Sequence, residues 1–131
     1  MTGKIVRSEA EWRKILSSGQ YRVLREGATE CAFSGKLEGN KKRGSYFCAG
    51  CGQSLFRSGE KFESKTGWPS FFAPVAGGVE ERTDTSYGMK RTEVLCSACG
   101  GHLGHVFEDG PRPTGKRYCI NSAALNFRGD E

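Results

Sequence analysis

The sequence lacks the features that would place the protein in a membrane, outside the cell or among disordered chains. It has no run of 18 or more apolar residues, which excludes a membrane-spanning helix. Its opening segment, MTGKIVRSEAEWRK, lacks the apolar stretch of a secretory signal, so we expect a cytoplasmic protein. Aromatic residues and cysteines are scattered along the whole length, which argues against a collagenous or disordered chain.

The chain also lacks a strong charge of one sign. Lys and Arg number 20 against 15 Asp and Glu, and the net charge of +5 is spread among interleaved acidic and basic residues. The one basic run, Lys41, Lys42 and Arg43, is typical of a solvated loop, so we expect no nucleic-acid partner. Apolar residues make up only 36% of the 131 residues and glycine contributes 19, which favours a small, turn-rich, mainly β domain.

The N-terminal region predicts a short helical arm. Ser8 and Glu11 form a capping box, apolar residues follow at helical spacing (Trp12, Ile15, Leu16), and Gly19 is expected to end the helix. A second, weaker helix is possible over 20–25. After Gly27 the sequence changes to short segments separated by turn residues, and it predicts strands over 45–47, 54–57, 71–75, 79–82, 87–95 and 116–127. With no repeat or linker, we expect one domain over 1–131 with its core at about 8–127.

Four of the six cysteines form two matched Cys-x-x-Cys-Gly segments, Cys48 with Cys51 and Cys96 with Cys99. Two residues between thiolates let both reach one metal, and the glycine that follows permits a positive φ. Four thiolates make the closed tetrahedral set of a structural zinc site. The alternatives are a rubredoxin-type iron centre, two separate redox motifs, or a pair of disulfides.

Cys31 and Cys119 remain. On a strand over 116–127, period-two alternation puts Cys119 on the same face as Arg117 and Asn121. A nearby cation lowers the pKa of a thiol, so we expect Cys119 to be a reactive nucleophile; the alternative is a buried structural cysteine.

Three further residues stand out for their chemistry. His102 and His105 are the only histidines, and four cysteines already satisfy one metal. At least one histidine is therefore expected to transfer protons, although a structural hydrogen-bonding role is the alternative. Trp68 lies in a Gly-Trp-Pro turn that can present its indole at a surface, unless it simply belongs to the core.

Together these blocks resemble the B-type methionine sulfoxide reductases. The resemblance rests on Thr29-Glu30 with Phe33-Ser34-Gly35, on the two cysteine pairs, and on Gly67-Trp68-Pro69-Ser70-Phe71. It extends to the segments 102–111 and 117–122, in family order along nearly the whole chain. The resemblance implies two antiparallel sheets with a structural zinc, and reduction of methionine-R-sulfoxide in oxidised proteins or peptides.

The resemblance also implies roles for individual residues. Cys119 matches the nucleophile and Trp68 the tryptophan that packs on the substrate methyl group, with Phe107 as a second substrate-binding residue. His102, His105 and Asn121 match residues that line the sulfoxide pocket and supply protons, and Arg117 lies nearby. Attack by Cys119 releases methionine and leaves a sulfenic acid, which a second thiol can condense into a disulfide.

The second thiol is where the sequence departs from the commoner family pattern. Thr66 occupies the position where many members carry a resolving cysteine, and Cys31 lies where proline is frequent. We expect Cys31 to resolve Cys119, with thioredoxin as the reductant and a monomeric protein. The alternative is an idle Cys31, with thioredoxin or a small thiol reducing the sulfenic acid directly.

Two other classes of function compete with the enzyme. A zinc-ribbon binding module would carry basic or aromatic residues in its cysteine turns, but Ala49-Gly50 and Ser97-Ala98 provide none. A zinc-bearing interaction domain could keep the four cysteines but would have no need for Trp68, His102 and Cys119 together.

Overall fold

The computed structural model describes residues 5, 7–85 and 88–130. In these residues the chain forms two α-helices, nine strands and two short 3-10 helices. The helices are α1 (Glu9–Ile15) and α2 (Ser18–Glu26). The strands are β1 (Gly44–Cys48), β2 (Ser54–Arg57), β3 (Lys61–Phe62), β4 (Ser70–Phe71), β5 (Val79–Asp84), β6 (Arg91–Cys96), β7 (His102–Phe107), β8 (Arg117–Ile120) and β9 (Leu125–Gly129). The 3-10 helices are Ser58–Glu60 and Ser122–Ala124.

Both helices begin with a capping box. Ser8 and Glu11 cap α1 as the sequence predicts, and Ser17 and Gln20 cap α2 in the same way. The prediction that Gly19 ends the first helix is wrong. The chain turns at Leu16, because the side chain of Ser17 starts a new helix, and Gly19 lies in the first turn of α2. Trp12 and Leu16 are buried, whereas Ile15 is half exposed.

The strands form two antiparallel sheets, which confirms the predicted mainly β fold. The smaller sheet has the order β2-β1-β9 and the larger has β3-β4-β8-β7-β6-β5. Aromatic rings fill the space between them: Phe56 of β2 stacks on Phe71 of β4 at 4.3 Å, and Tyr46 of β1 meets Phe71 edge-on at 5.1 Å. Because these rings are fully buried, they fix the face of the larger sheet that turns toward the smaller one.

Several strand boundaries differ from those predicted. Strand β7 was not predicted, because it is buried almost throughout and so shows no apolar–polar alternation. The segment 71–75 contributes only Phe71 to a strand, and 116–127 is divided by the 3-10 helix Ser122–Ala124. The strand predicted over 87–95 begins at Arg91, and Tyr87 lies outside the described residues.

Gly104 controls how closely β7 and β8 pair. A side chain at this position would overlap the carbonyl oxygen of Cys119 on the neighbouring strand. We therefore expect Gly104→Ala to lower the free energy of unfolding by about 1–3 kcal/mol, measured by denaturant titration. Gly39→Ala is the control, because a Cβ there meets nothing within 4 Å. A Gly104→Ala protein as stable as the control would show that the strands can separate without cost.

Candidate active site and metal centre

The four paired cysteines converge on one point between the two sheets. All four Sγ atoms lie within 4.8 Å of one another, with Cys48 and Cys99 at 3.7 Å and Cys51 and Cys96 at 3.6 Å. A tetrahedral zinc with bonds of about 2.3 Å would set these sulfurs about 3.8 Å apart. Burial raises the pKa of Cys51 to about 12, whereas hydrogen bonds with Cys48 and Cys99 lower the pKa of Cys96. The donor set therefore fits a four-coordinate metal.

The turns that carry these cysteines form as the sequence predicts. Gly52 and Gly100 follow the second cysteine of each pair with φ of 82° and 74°, and their N–H groups donate to the carbonyls of Cys48 and Cys96. Cys48 belongs to the smaller sheet and Cys96 to the larger, so a bound metal would join the two.

The helical arm packs against the same centre. The Trp12 ring closes on Gly50, where an added Cβ would meet it at 3.1 Å. Arg25 of α2 donates to the carbonyl of Cys99 at 3.1 Å, and its guanidinium lies 4.6 Å from the centre of the Trp12 ring. The metal centre thus lies where three parts of the fold meet.

The larger sheet aligns the candidate catalytic groups in one row. Cys119 of β8 pairs with Ser70 of β4 on one side and with His105 of β7 on the other, and His105 pairs in turn with Glu93 of β6. Directly paired residues point to the same face of a sheet. This register explains why residues distant in sequence meet beside the Cys119 thiol.

A cavity of about 290 Å3 opens over this row. It brings together six of the residues predicted to act in catalysis or substrate binding and four that were not given such a role. The first group is Trp68, His105, Phe107, Arg117, Cys119 and Asn121, and the second is Thr29, Thr66, Arg91 and Gly104. His102 is not among the lining residues. A larger groove of about 660 Å3 lies next to α2, and its lining in the described residues contains neither cysteine nor histidine.

The environment of Cys119 differs from the sequence prediction in one respect. Arg117 lowers the pKa of the thiol, as do the hydroxyls of Thr66 and Ser70, but burial outweighs all three and leaves that pKa raised. The Thr66 hydroxyl lies 3.8 Å from the sulfur. Arg117 is also engaged elsewhere, in a two-pronged ion pair with Asp109 at 2.9 and 3.1 Å. Burial therefore disfavours the thiolate form of Cys119.

The two histidines share one face of the sheet because β7 carries a bulge. Val94 pairs with Gly104 while Leu95 pairs with His102, so Leu103 is an extra residue. Without the bulge, residues three apart would point to opposite faces. The rings of His102 and His105 lie 5.4 Å apart as a result.

Each histidine is held by a carboxylate that the sequence did not reveal. Nε2 of His105 lies 2.8 Å from Asp84, and Nδ1 of His102 lies 2.6 Å from Glu93. Burial lowers the pKa of His102 despite the neighbouring Glu93. No periodic pattern links these positions; only the register of β5, β6 and β7 brings them together.

The loop that carries Cys31 runs beside the Trp68 turn. The Phe33 N–H donates to the carbonyl of Gly67 at 2.7 Å, and Gly67 has φ of 95° with no room for a side chain against this loop. The Trp68 indole donates to the carbonyl of Glu30 at 2.9 Å. Cys31 itself is exposed. It follows Thr29, which lines the cavity, by two residues.

Comparison with known proteins shows the family of this chain. The SelR domain matches residues 16–129. The chain is 57% identical to the peptide methionine sulfoxide reductase MsrB of Leptospira interrogans over 98% of each chain. It is 61% identical to the protein of the same name from Bradyrhizobium diazoefficiens, over 95% of this chain and 90% of that one. The chain belongs to the SelR family.

The family assignment confirms the resemblance to B-type methionine sulfoxide reductases. A third relative, the MsrB of Methanosarcina barkeri, is 59% identical over 97% of this chain and 90% of its own. The prediction of an enzyme of the oxidoreductase class is likewise confirmed. This favours the enzyme over the two binding-domain alternatives.

Replacing one metal ligand tests the metal centre of this SelR domain. We expect the purified chain to carry one zinc ion and Cys96→Ser to lose it, with unfolding easier by several kcal/mol because metal binding contributes directly to folding. Elemental analysis and thermal melting measure both effects, and visible absorbance would distinguish iron from zinc. Cys31→Ser is the matched control. A Cys96→Ser protein with its metal and melting temperature intact would contradict the assignment.

The raised pKa of Cys119 leads to a prediction about the pH dependence of its alkylation. We expect its alkylation by iodoacetamide to accelerate with pH, with a midpoint above that of an ordinary cysteine. Since Arg117 lowers this pKa, Arg117→Gln should move the midpoint higher still, whereas Arg22→Gln on the exposed face of α2 should not. Mass spectrometry of the Cys119 peptide follows the reaction. A midpoint that falls in Arg117→Gln would mean that the guanidinium does not stabilise the thiolate.

Proposed function

We propose that this chain reduces methionine-R-sulfoxide in oxidised proteins back to methionine, with Cys119 as the nucleophile. The observation that carries the proposal is the single cavity in which the Cys119 thiol, the Trp68 indole and the His105 imidazole converge. Membership of the SelR family supports the reaction class. Reduction of methionine sulfoxide restores an oxidised methionine, so the proposed biological role is repair of oxidative damage.

The aromatic residues of the cavity fit the apolar part of the substrate. Trp68 and Phe107 line it together, and the Arg117 guanidinium lies 4.5 Å from the Phe107 ring, which holds that ring in place. The S-methyl group of the substrate prefers such surroundings, since sulfur–aromatic contacts contribute about 0.3–1.5 kcal/mol.

The polar residues fit the sulfoxide oxygen. When the Cys119 sulfur attacks, a sulfur–sulfur bond forms and negative charge develops on oxygen, so a proton donor must lie beside it. His105 is adjacent to Cys119 and is held by Asp84, and Asn121 lines the same cavity. The His102 ring lies 5.4 Å from the His105 ring and does not line the cavity, so it would support proton supply rather than contact substrate. The sulfur–sulfur bond and the S–O bond of the substrate then break as the oxygen passes to the Cys119 sulfur. Methionine leaves with its sulfur reduced by two electrons, and Cys119 is oxidised by two electrons to a sulfenic acid that carries the proton on its oxygen.

Cys31 is the proposed resolving residue. Its thiol would condense with the Cys119 sulfenic acid to give a disulfide and water, and thioredoxin would reduce that disulfide to two thiols. Support comes from the contacts of the Cys31 loop with the Trp68 turn and from the exposure of the thiol. A disulfide needs Cα atoms within about 7 Å of each other, or a movement of the loop that brings them there.

The remaining sequence predictions belong to this proposal. The four-cysteine centre would hold zinc in a structural role, with Cys48, Cys51, Cys96 and Cys99 as ligands and no position open for substrate. A monomer, a single domain over 1–131 and a cytoplasmic location stay predictions. Among the described residues, neither helix has the length or the apolar surface needed to cross a membrane.

The decisive experiment couples turnover to thioredoxin and thioredoxin reductase and follows NADPH consumption. We expect turnover with the R epimer of a methionine-sulfoxide peptide and none with the S epimer. Cys119→Ser should abolish it. Cys31→Ser should retain a single turnover, with one methionine formed per chain, but lose most thioredoxin-coupled turnover.

The control is Cys31→Ser assayed with a small thiol reductant, which can reduce a sulfenic acid directly. Thioredoxin-coupled turnover that survives Cys31→Ser would remove Cys31 from the mechanism and leave Cys119 in place. Activity that survives Cys119→Ser, or no activity of the folded, metal-loaded wild type on either epimer, would contradict the proposed function.

A further inference from the structure

Glu30 contacts two residues of the candidate active site, Trp68 and Asn121, through its backbone. It is half-buried and directly precedes Cys31 in the loop between α2 and β1. Its backbone N–H donates to Oδ1 of Asn121 at 2.9 Å, and its backbone carbonyl accepts the indole N–H of Trp68 at 2.9 Å. One residue thus holds both a cavity-lining aromatic and a cavity-lining amide.

The side chain of Glu30 fixes that backbone. Its two carboxylate oxygens accept the backbone N–H groups of Ser122 and Ala123, each at 2.9 Å, at the start of the 3-10 helix that follows Asn121. Hydrogen bonds from backbone N–H groups to a carboxylate are charge-assisted and about twice as strong as neutral ones. The carboxylate therefore anchors the loop to the end of β8, three residues from Cys119.

Gly35 packs directly against the Glu30 carboxylate and the Ser122 side chain. An added Cβ at Gly35 would overlap both the Glu30 carboxylate and the Ser122 hydroxyl, so the loop fits only without a side chain there. The Leu37 N–H also donates to the Ser122 hydroxyl at 3.2 Å. The loop is thus docked on the chain that follows Cys119 at several points, with the Glu30 carboxylate at the centre.

Glu30 is not among the residues that line the cavity in the described part of the chain. Its contacts reach the cavity only through Trp68 and Asn121, which lie against its carbonyl and its N–H. We infer that Glu30 is a positioning residue that sets the placement of Trp68 and Asn121 around the substrate. The inference rests on the proposed function, in that the cavity is taken to receive the sulfoxide.

Glu30→Gln tests this role. Glutamine has the shape of glutamate, but its amide N–H₂ replaces one carboxylate oxygen and faces a backbone N–H that needs an acceptor. We expect kcat/KM for the R-sulfoxide to fall by about 10- to 100-fold, since small displacements of substrate-positioning groups have effects of that size. The indole N–H resonance of Trp68, assigned with Trp68→Phe, should shift and exchange faster with solvent. Glu26→Gln, the same charge change at the exposed end of α2, is the matched control.

The alkylation rate of Cys119 in Glu30→Gln distinguishes a positioning role of Glu30 from a general loss of structure at the site. Thr66, Arg117 and Ser70 lower the pKa of this thiol, and none of them bonds to Glu30 among the described residues. The alkylation rate in Glu30→Gln should therefore stay within about twofold of wild type. In a Trp68→Phe background, Glu30→Gln should lose part of its effect on kcat/KM, because the indole N–H through which it acts is already gone.

Unchanged kcat/KM with an unmoved Trp68 resonance would overturn the inference. So would a loss of activity accompanied by an equal loss of Cys119 alkylation and of melting temperature, which would mark a purely structural residue. If Glu30→Gln does not fold, Gly35→Ala crowds the same carboxylate and is compared with Gly39→Ala. If the wild type reduces neither epimer, the proposed function fails. The Trp68 resonance in Glu30→Gln then still shows whether Glu30 positions Trp68.

Discussion

The pairing of β7 with β8 is the constraint on which the candidate site depends. It sets His105 beside Cys119, and Gly104 keeps the two strands close because its neighbour is the Cys119 backbone itself. Two further strands extend the row, with Ser70 beyond Cys119 and Glu93 beyond His105. The thiol, the imidazole and a carboxylate thus gain their relative positions from backbone hydrogen bonds, which are more rigid than side-chain contacts alone.

The four-cysteine centre includes the turn between β6 and β7 of this sheet. Cys96 ends β6 and Cys99 precedes β7, so a bound ion would fix the turn from which the two histidines follow. The same four sulfurs include Cys48 of the smaller sheet, and the helical arm packs over them through Trp12 and Arg25. In a domain with so lean a core, one ion at this junction can replace a large amount of apolar burial.

Local patterns were sufficient for the parts of the molecule that local chemistry dictates. The capping box of Ser8, the positive φ of Gly52 and the alternation along β8 each depend on a few neighbouring residues, and each was predicted. The carboxylate of Glu30 was not, because its partners lie about ninety residues away. Strand β7 was missed for a related reason: burial on both faces and a bulge removed the periodicity that marks a strand.

The pKa of Cys119 shows why charge proximity in a sequence does not determine reactivity. Arg117 shares its strand face, yet burial has the larger effect and the guanidinium is shared with Asp109. A thiol that stays protonated at neutral pH reacts slowly with adventitious oxidants and alkylating agents, because the thiolate is the nucleophile. The groups that lower this pKa, Thr66, Arg117 and Ser70, do not outweigh burial on their own. The same burial that places Cys119 in the row of paired strands therefore disfavours its thiolate, and the position of the thiol in the fold decides its reactivity more than the charge beside it in the sequence.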